Sequence, residues 1–421
     1  MYISVRGIPH GTRSAVRVPR VVVVLGMVSL ITDISTEMVT VVLPLFATLA
    51  LGLTPAAYGL LDGLYQAATV VMRLLGGFFA DRLRRPKLMA GTGYALGAAA
   101  KLLLLPAGGA GALSAAVAVD RMGKGLRTAP RDLLIATAAP PDRLGRSFGV
   151  HRALDATGAL LGPVVAFGLL ALAPGDFDMV FVVSFCAAVL GVLLFVNRVP
   201  ENEARRGTAA ADAPGERPGE RAVSPRDVAA LLRIGGFRRL LGAAAVLSAA
   251  TISDSFLYLV LLRNDSVGTR WFPLLFLCTS LVYLTLAVPF GRVSDRVGRH
   301  RVFTAGYGLL LCAYLAAILT GGASGAVLCL VFLGAYYAAT DGVLPAAAAP
   351  LLPAELTATG ISIVQAAVAA GRALGAVAFG VVWSAADGDA AVWAFAAALT
   401  AALLATAPLI ARTRVHRTEA R

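Results

Sequence analysis

The chain has 421 residues, 58% hydrophobic and 14% charged, with a net charge of +13 and a mean hydropathy of +0.78. Soluble proteins carry about 25% charged residues, so this composition excludes a water-soluble fold. The basic excess has no soluble domain to sit in, which excludes a nucleic-acid partner and leaves basic loops on one membrane face as its source.

Apolar runs of about 20 residues, the thickness of a bilayer core, recur along the whole length, and ten-residue alternating strands are absent. The expected class is therefore all-α integral membrane. Residues 1–20 read as a cytoplasmic arm, because the apolar run behind them outlasts a signal peptide's and no small-residue cleavage site follows. Twelve spans are predicted, at 21–50, 57–80, 88–105, 111–137, 147–172 and 178–197, then 239–263, 270–290, 302–320, 325–350, 357–383 and 389–411. Between the sixth and seventh lies a linker, 198–238, whose middle (204–222) has almost no large apolar residue and is expected to be disordered. Its end, Ser224-Pro225-Arg226-Asp227 before VAALLRI, reads as a capping box opening a short surface helix. The organisation is thus an arm, a six-helix bundle (21–197), the linker, a second bundle (239–411) and a cytoplasmic tail (412–421).

Lys and Arg set the orientation. Arg13, Arg17, Arg20, Arg82, Arg84, Arg85, Lys87, Arg143, Arg146, the linker, Arg292, Arg296, Arg299, Arg301 and the tail's arginines collect on one side. Both termini and the linker are expected in the cytoplasm and the chain in the plasma membrane. The halves echo each other. GGFFADRLRRPKL (Gly76–Leu88) precedes span 3 and FGRVSDRVGRHRV (Phe290–Val302) precedes span 9; Ala166-Phe167-Gly168 returns as Ala378-Phe379-Gly380. A parallel six-helix repeat implies a pseudo-two-fold axis along the membrane normal and a substrate site near mid-membrane between the halves.

Polarity sorts by span. Spans 1, 2, 4, 5, 7, 10 and 11 carry Asp33, Glu37, Asp62, Arg73, His151, Arg152, Asp155, Asp254, Asp341 and Arg372, besides a cluster on span 4. Ionisable groups avoid lipid, so these spans should line a cavity. Spans 3, 6, 9 and 12 hold only Lys101, expected to snorkel outward, and should form the periphery. The four cysteines, Cys186, Cys278, Cys312 and Cys329, lack a paired spacing and read as thiols packed as small hydrophobes.

The span 4 cluster, AVDRMGKGLRTAPRD (Ala118–Asp132), organises the reading. A charge at mid-bilayer costs about 2.5–3.5 kcal/mol on insertion scales, so each needs a partner. At 100° per residue Asp120, Lys124, Arg127 and Arg131 share one face. Counting about 1.5 Å per residue places Asp33 level with Arg121, Lys124 with Asp155, and Asp254 with Arg372. Asp33 with Arg121 is either a proton-coupling pair or a static ion pair; Glu37 carries the same alternatives. His151, four residues before Asp155, is a proton relay or a buried hydrogen-bonded histidine. Arg131 and Asp132 fall near the cytoplasmic boundary. Tyr65, Phe256, Tyr258, Tyr283, Tyr336 and Tyr337 are candidates to line an organic-substrate pocket, with Gln365 beside them.

On these motifs the chain resembles the major facilitator superfamily over essentially its full length. The family's loop pattern G-x-x-x-D-R-x-G-R-x-R is matched by Gly291, Asp295, Arg296, Gly298, Arg299 and Arg301. The earlier copy keeps Gly77, Asp81, Arg82, Arg85 and Lys87, with Arg84 in place of a glycine and Pro86 at a basic position. The resemblance implies that these loops latch one conformation. R-x-x-Q-G of the family's fourth helix is matched by Arg121 to Gly125, with Lys124 for the glutamine. Gly149, Gly158, Gly162 and Pro163 look like the antiporter signature of the fifth helix, with Ala166 for the last glycine.

The resemblance implies a secondary active transporter working by alternating access, and the fifth-helix pattern favours proton-driven antiport that exports a small organic compound. The cationic face of span 4 favours an alternative, proton symport taking up an organic anion. A channel or a transport-dead sensor is the alternative of another class. The partners expected are a small-molecule substrate, protons and the bilayer, with the chain a monomer; no cofactor or metal is expected, and no nucleophile-base motif suggests an enzyme.

Overall fold

The computed structural model describes residues 18–83, 85–140, 143–200, 225–353 and 356–411. Among these residues the chain is helical and has no strand. Nine segments among them are long and apolar enough to cross a membrane. Helix is what apolar runs of this length must adopt in hydrocarbon, where only an internal ladder satisfies every backbone N–H and C=O.

The elements are α1 (Arg20–Leu45), α2 (Pro55–Leu83), α3 (Pro86–Leu104), α4 (Ala110–Ala138), α5 (Leu144–Leu172) and α6 (Phe177–Arg198), then the short α7 (Pro225–Arg233). There follow α8 (Gly235–Ala249), α9 (Asp254–Arg263), α10 (Phe272–Val297), α11 (Arg299–Leu319), α12 (Gly322–Thr340), α13 (Val343–Ala348), α14 (Thr357–Ala385) and α15 (Gly388–Ala411). The short helix expected after the linker is α7; its Ser224 cap and the linker's middle lie outside the described residues. α1 runs on through a π-helical turn, Phe46–Ala50, just past Pro44.

Two spans read from sequence as single helices are broken. Between α8 and α9 the backbone unwinds over Ala250–Ser253. The freed N–H of Ile252 donates to the Tyr314 hydroxyl at 2.7 Å. Gly375 on α14 admits the neighbouring carbonyls, since a Cβ there would stand 2.7 Å from the Thr251 oxygen. The second break, at Asp341 and Gly342, separates α12 from α13. Irregular backbone at this depth survives only where protein or a wet cavity satisfies it.

Helix packing repeats. In the first group α1 packs on α5 and α6, α4 on α2 and α3, and α3 on α6. In the second, α8 packs on α14 and α15, α12 on α10 and α11, and α11 on α15. The groups meet where α2 packs on α14 and α5 on α10. α6 and α15 turn large apolar side chains outward, among them Leu190, Leu193, Trp393 and Leu404. Of the cysteines only Cys329 is buried; Cys186, Cys278 and Cys312 are exposed, because they lie on lipid-type faces rather than in the packed seams.

Candidate functional site

Asp33 on α1 is buried, and its partner is Arg127, whose Nη2 donates to Oδ1 at 3.1 Å. Arg127 also lies over the Tyr94 ring, 4.9 Å from the centroid. The Asp155 carboxyl group on α5 stands against that of Asp33, within hydrogen-bonding reach. Arg131 closes the group, 3.6 Å from Asp155 and 3.0 Å from Asp132. Two carboxyl groups in contact between two guanidinium groups form a place that can hold or release a proton.

This differs from the register counted along the sequence, in which Asp33 meets Arg121 and Lys124 meets Asp155. The physical reason is length. α1 with its π turn has 31 residues and α4 has 29, so at 1.5 Å per residue both overrun a 30 Å core by more than about 10 Å. Depths counted from the first apolar residue are therefore offset, and Arg131, placed by counting at the boundary, reaches the carboxylates. Lys124 faces Asp33, Glu37 and Asp155 without forming an ion pair among the described residues. His151 is buried, and its Nε2 lies 3.0 Å from Ser29 Oγ rather than against Asp155; that hydroxyl also accepts from Arg131 at 3.4 Å.

About two helical turns back along α4 from Arg127, the carboxylate of Asp120 accepts from both Lys101 and Arg121. Arg121 also donates to the Tyr65 hydroxyl at 2.9 Å and lies over that ring at 4.2 Å. The expectation that Lys101 snorkels outward is overturned: it is 3% exposed, on the inner face of α3. Its four-carbon stem finds an anion inside at shorter reach than the interface.

A cavity of about 220 Å³ lies between the two groups of helices, walled by α1, α2, the unwound Ala250–Ser253 segment, α9, α10, α12 and α14. Asp62, Tyr65, Asp254, Tyr337 and Arg372 face it. Asp254 and Arg372 do not pair directly. Tyr337 stands between, donating to Asp254 Oδ1 at 2.7 Å while Arg372 lies 5.2 Å over its ring. Arg372 reaches Asp341 at 3.7 Å and donates to the Tyr336 hydroxyl at 3.3 Å. Tyr336 is fully buried, and Gln365 is exposed and not on the cavity wall.

The groups close on each other at the end of the helices remote from Arg20. There α2 and α14 touch backbone to backbone: a Cβ on Gly380 would stand 2.4 Å from the Pro55 oxygen, and one on Gly59 2.6 Å from the Ala376 oxygen. Ala56 N–H donates to Ser384 Oγ at 2.8 Å. An aromatic plug sits below, with Phe256 against Tyr58 (5.1 Å), Phe379 (4.9 Å) and Trp383 (5.8 Å). Phe167 stacks on Trp271 at 5.1 Å, where α5 meets the start of α10.

Two glycines of the fifth-helix pattern are packing positions. A Cβ at Gly158 would stand 2.4 Å from the Leu30 oxygen and one at Gly162 2.5 Å from Glu37 Cβ, whereas Gly149 has open space. Pro163 lies inside α5. In the second loop Gly298 has φ +109°, which demands glycine. Arg299 bonds the Ala346 carbonyl at 2.7 Å and Asp295 at 3.3 Å, tying α11 to α13; Gly291 has no close neighbour and Arg296 is exposed. The side chains of Gly77, Asp81 and Arg82 lie outside the described residues.

Sequence reasoning placed Asp62 among the polar positions without a role. The signal was there: Tyr58, Asp62, Tyr65 and Gln66 fall at i, i+4, i+7 and i+8, one polar stripe on an apolar helix. Lys101 as the partner of Asp120, and the two helix breaks, left no comparable pattern.

Among known proteins, the Major Facilitator Superfamily pattern matches residues 25–376 and 266–421. An uncharacterized MFS-type transporter of Methanocaldococcus jannaschii is 30% identical over 298 residues, covering 68% of this chain and 69% of its own. An uncharacterized protein of Mycobacterium tuberculosis is 36% identical over 196 residues, 46% of this chain and 47% of its own. A crystal structure of the nucleoside transporter NupG superposes with a TM-score of 0.75 at 13% identity, covering 93% of this chain and 99% of that one. One of the peptide transporter POT, in complex with sulfate, gives 0.68 at 19% identity, covering 94% and 96%. Likeness at such identities is a likeness of fold.

Proposed function

The chain belongs to the major facilitator superfamily, a family of membrane transporters, and on that premise we propose that it is a proton-driven antiporter exporting a small organic compound by alternating access. In this reading twelve spans form two six-helix bundles, 21–197 and 239–411, about a pseudo-two-fold axis. The arm 1–20, the linker 198–238 and the tail 412–421 are cytoplasmic, and the chain works as a monomer in the plasma membrane. The recurrence of the same helix pairings in both groups supports the axis, and the loop arginines support the orientation. The closed end is then the outer one, so the cavity belongs to an inward-facing state.

The observation that carries proton coupling is the contact of Asp33 with Asp155 between Arg127 and Arg131. Asp33 sits on α1 while its partners sit on α4 and α5, so a rearrangement of these helices changes which cation faces each carboxyl group and with it the proton affinity. The glycine approach of α5 to α1 holds Asp155 at that distance. Uptake of organic anions drew on the cationic face of α4, and most of that face is already paired: Arg121 with Asp120, Arg127 with Asp33, Arg131 with Asp132 and Asp155, while Lys124, without an ion pair among the described residues, faces the carboxyl groups of Asp33, Glu37 and Asp155.

Purified protein in liposomes holding a pH-sensitive dye tests this. With an imposed proton gradient, compound and proton must move in opposite directions, and a protonophore must abolish the compound's uphill movement. Co-directional movement selects the symporter; flux indifferent to the gradient selects a channel.

A further inference from the structure

The cavity wall carries an imbalance of charge. Its charged residues are Asp62, Asp254 and Arg372. Arg372 reaches Asp341 at 3.7 Å through one nitrogen and its flat face is covered by Tyr337, although its Nε is enclosed without a hydrogen-bond partner. The nearest α4 cation, Arg121, is held by Asp120 and Tyr65. Asp254 receives a single hydroxyl, that of Tyr337. Asp62 receives no cation: it is 8% exposed, forms no ion pair among the described residues, has only the Ser253 hydroxyl beside it, and its Oδ2 is enclosed without a partner. The two carboxylates are near enough to repel each other.

A carboxylate buried without a partner is costly, by several kcal/mol before relaxation, and a protein that keeps one at a cavity wall gains only if something else supplies the charge. We propose that this cavity takes a small organic cation, an amine of aromatic or aliphatic skeleton, whose ammonium group sits between Asp62 and Asp254. The walls suit the rest of such a molecule. Tyr58, Tyr65, Phe276 and Tyr337 line the same space, and aromatic faces attract cations when desolvated. Two of these rings already hold guanidinium groups, Tyr65 that of Arg121 and Tyr337 that of Arg372. An organic anion would meet two carboxylates against one guanidinium group that Asp341 already shares. This assignment rests on the transport reading, since it names the substrate class of the same cavity.

It also gives exchange a physical basis. A carboxylate that has bound a proton no longer attracts an ammonium group, so proton and substrate compete for Asp62 and Asp254 and leave in turn. No covalent step is involved.

The test uses the full chain purified in detergent, with 2-phenylethylamine, tryptamine and tetraethylammonium as probes. Phenylacetate and indole-3-acetate are the acidic counterparts of the first two, and 2-phenylethanol is the neutral one. Thermal unfolding and equilibrium binding are measured for each. The expected result is stabilisation by the cations alone, with affinity falling about tenfold or more in Asp62→Asn and in Asp254→Asn, the loss of one charged hydrogen bond. Asp62→Glu should retain most of it. Ligand-free unfolding of each variant, which should match the parent, separates loss of binding from loss of fold. Equal response to acids or alcohols, cation binding that survives both Asn substitutions, or no response to any probe overturns the proposal.

The liposome assay separates the two readings. Acids that move protons while amines do not leave proton-driven transport standing and remove the cation assignment. Amines that bind through Asp62 while no compound moves protons do the reverse.

Discussion

The Arg127 guanidinium donates to the Asp33 carboxylate at 3.1 Å, although Arg121 stands six residues earlier on the same helix at the height that sequence counting gave to Asp33. The displacement is about 9 Å along the axis of α4. It moves the coupling candidates from mid-span toward the end of the bundle where Arg20 lies, and it frees Arg121 for Asp120 and Tyr65.

Removing Asp33 therefore strands Arg127. Asp33→Asn should lower stability by about 3–5 kcal/mol, the cost of an unpaired buried charge, seen as a lower melting temperature in detergent. Coupling should be lost with substrate binding retained. Asp33→Asn combined with Arg127→Gln should recover stability but not coupling. Full gradient-driven transport by the single variant would take Asp33 out of the mechanism.

The Lys101–Asp120–Arg121 group should respond unequally to its members' loss. Two cations share one anion, so Lys101→Met leaves a balanced pair and should cost little. Asp120→Asn leaves two like charges in contact and should cost about 3–5 kcal/mol or prevent folding. Comparing the two melting temperatures checks it; equal effects would mean the lysine is not neutralised inside.

Gly158 and Gly149 offer a matched contrast on one helix. An alanine at 158 would press on the Leu30 backbone, while one at 149 meets nothing. Gly158→Ala should destabilise by about 1–3 kcal/mol and slow transport by separating α5 from α1. Gly149→Ala should leave both unchanged. Unfolding in detergent and liposome flux measure each.

At the closed end Gly380→Ala inserts a methyl group against the Pro55 carbonyl. Neither wall is a side chain that can turn aside, so the population should shift toward a state open at that end. Spin labels at Thr54 and Asp387, read by pulsed distance measurements, should show a longer component absent from the parent. An unchanged distribution would show that the contact is not a gate.

Some of this was legible early and some was not, for identifiable reasons. The helical membrane fold, the short helix after the linker and the peripheral place of α6 and α15 follow from apolar run length and from where charges are missing, both local properties of sequence. The inward-facing set of ionisable residues follows from the cost of charge in lipid. Pairing is not local. Whether Asp33 meets Arg121 or Arg127 depends on how far α1 and α4 project past the hydrocarbon, which no run length records. Lys101 was misjudged for the same reason, since its anion comes from the facing α4. Gly149 and Gly158 are the same letter in one motif, yet only the second faces another helix.

The unwound Ala250–Ser253 segment separates α8, docked on α14 and α15, from α9. α9 is thus a short rod of its own, joined to α8 through a buried, non-helical link. Asp254 is its first residue and faces the cavity; Phe256, two residues on, is the centre of the plug at the end remote from Arg20. Only Ser255 lies between the Asp254 carboxylate and the stopper, within one turn of the same helix. On the proposed reading, the group that senses occupancy and the ring that seals the path are two residues, about 3 Å of helix rise, apart.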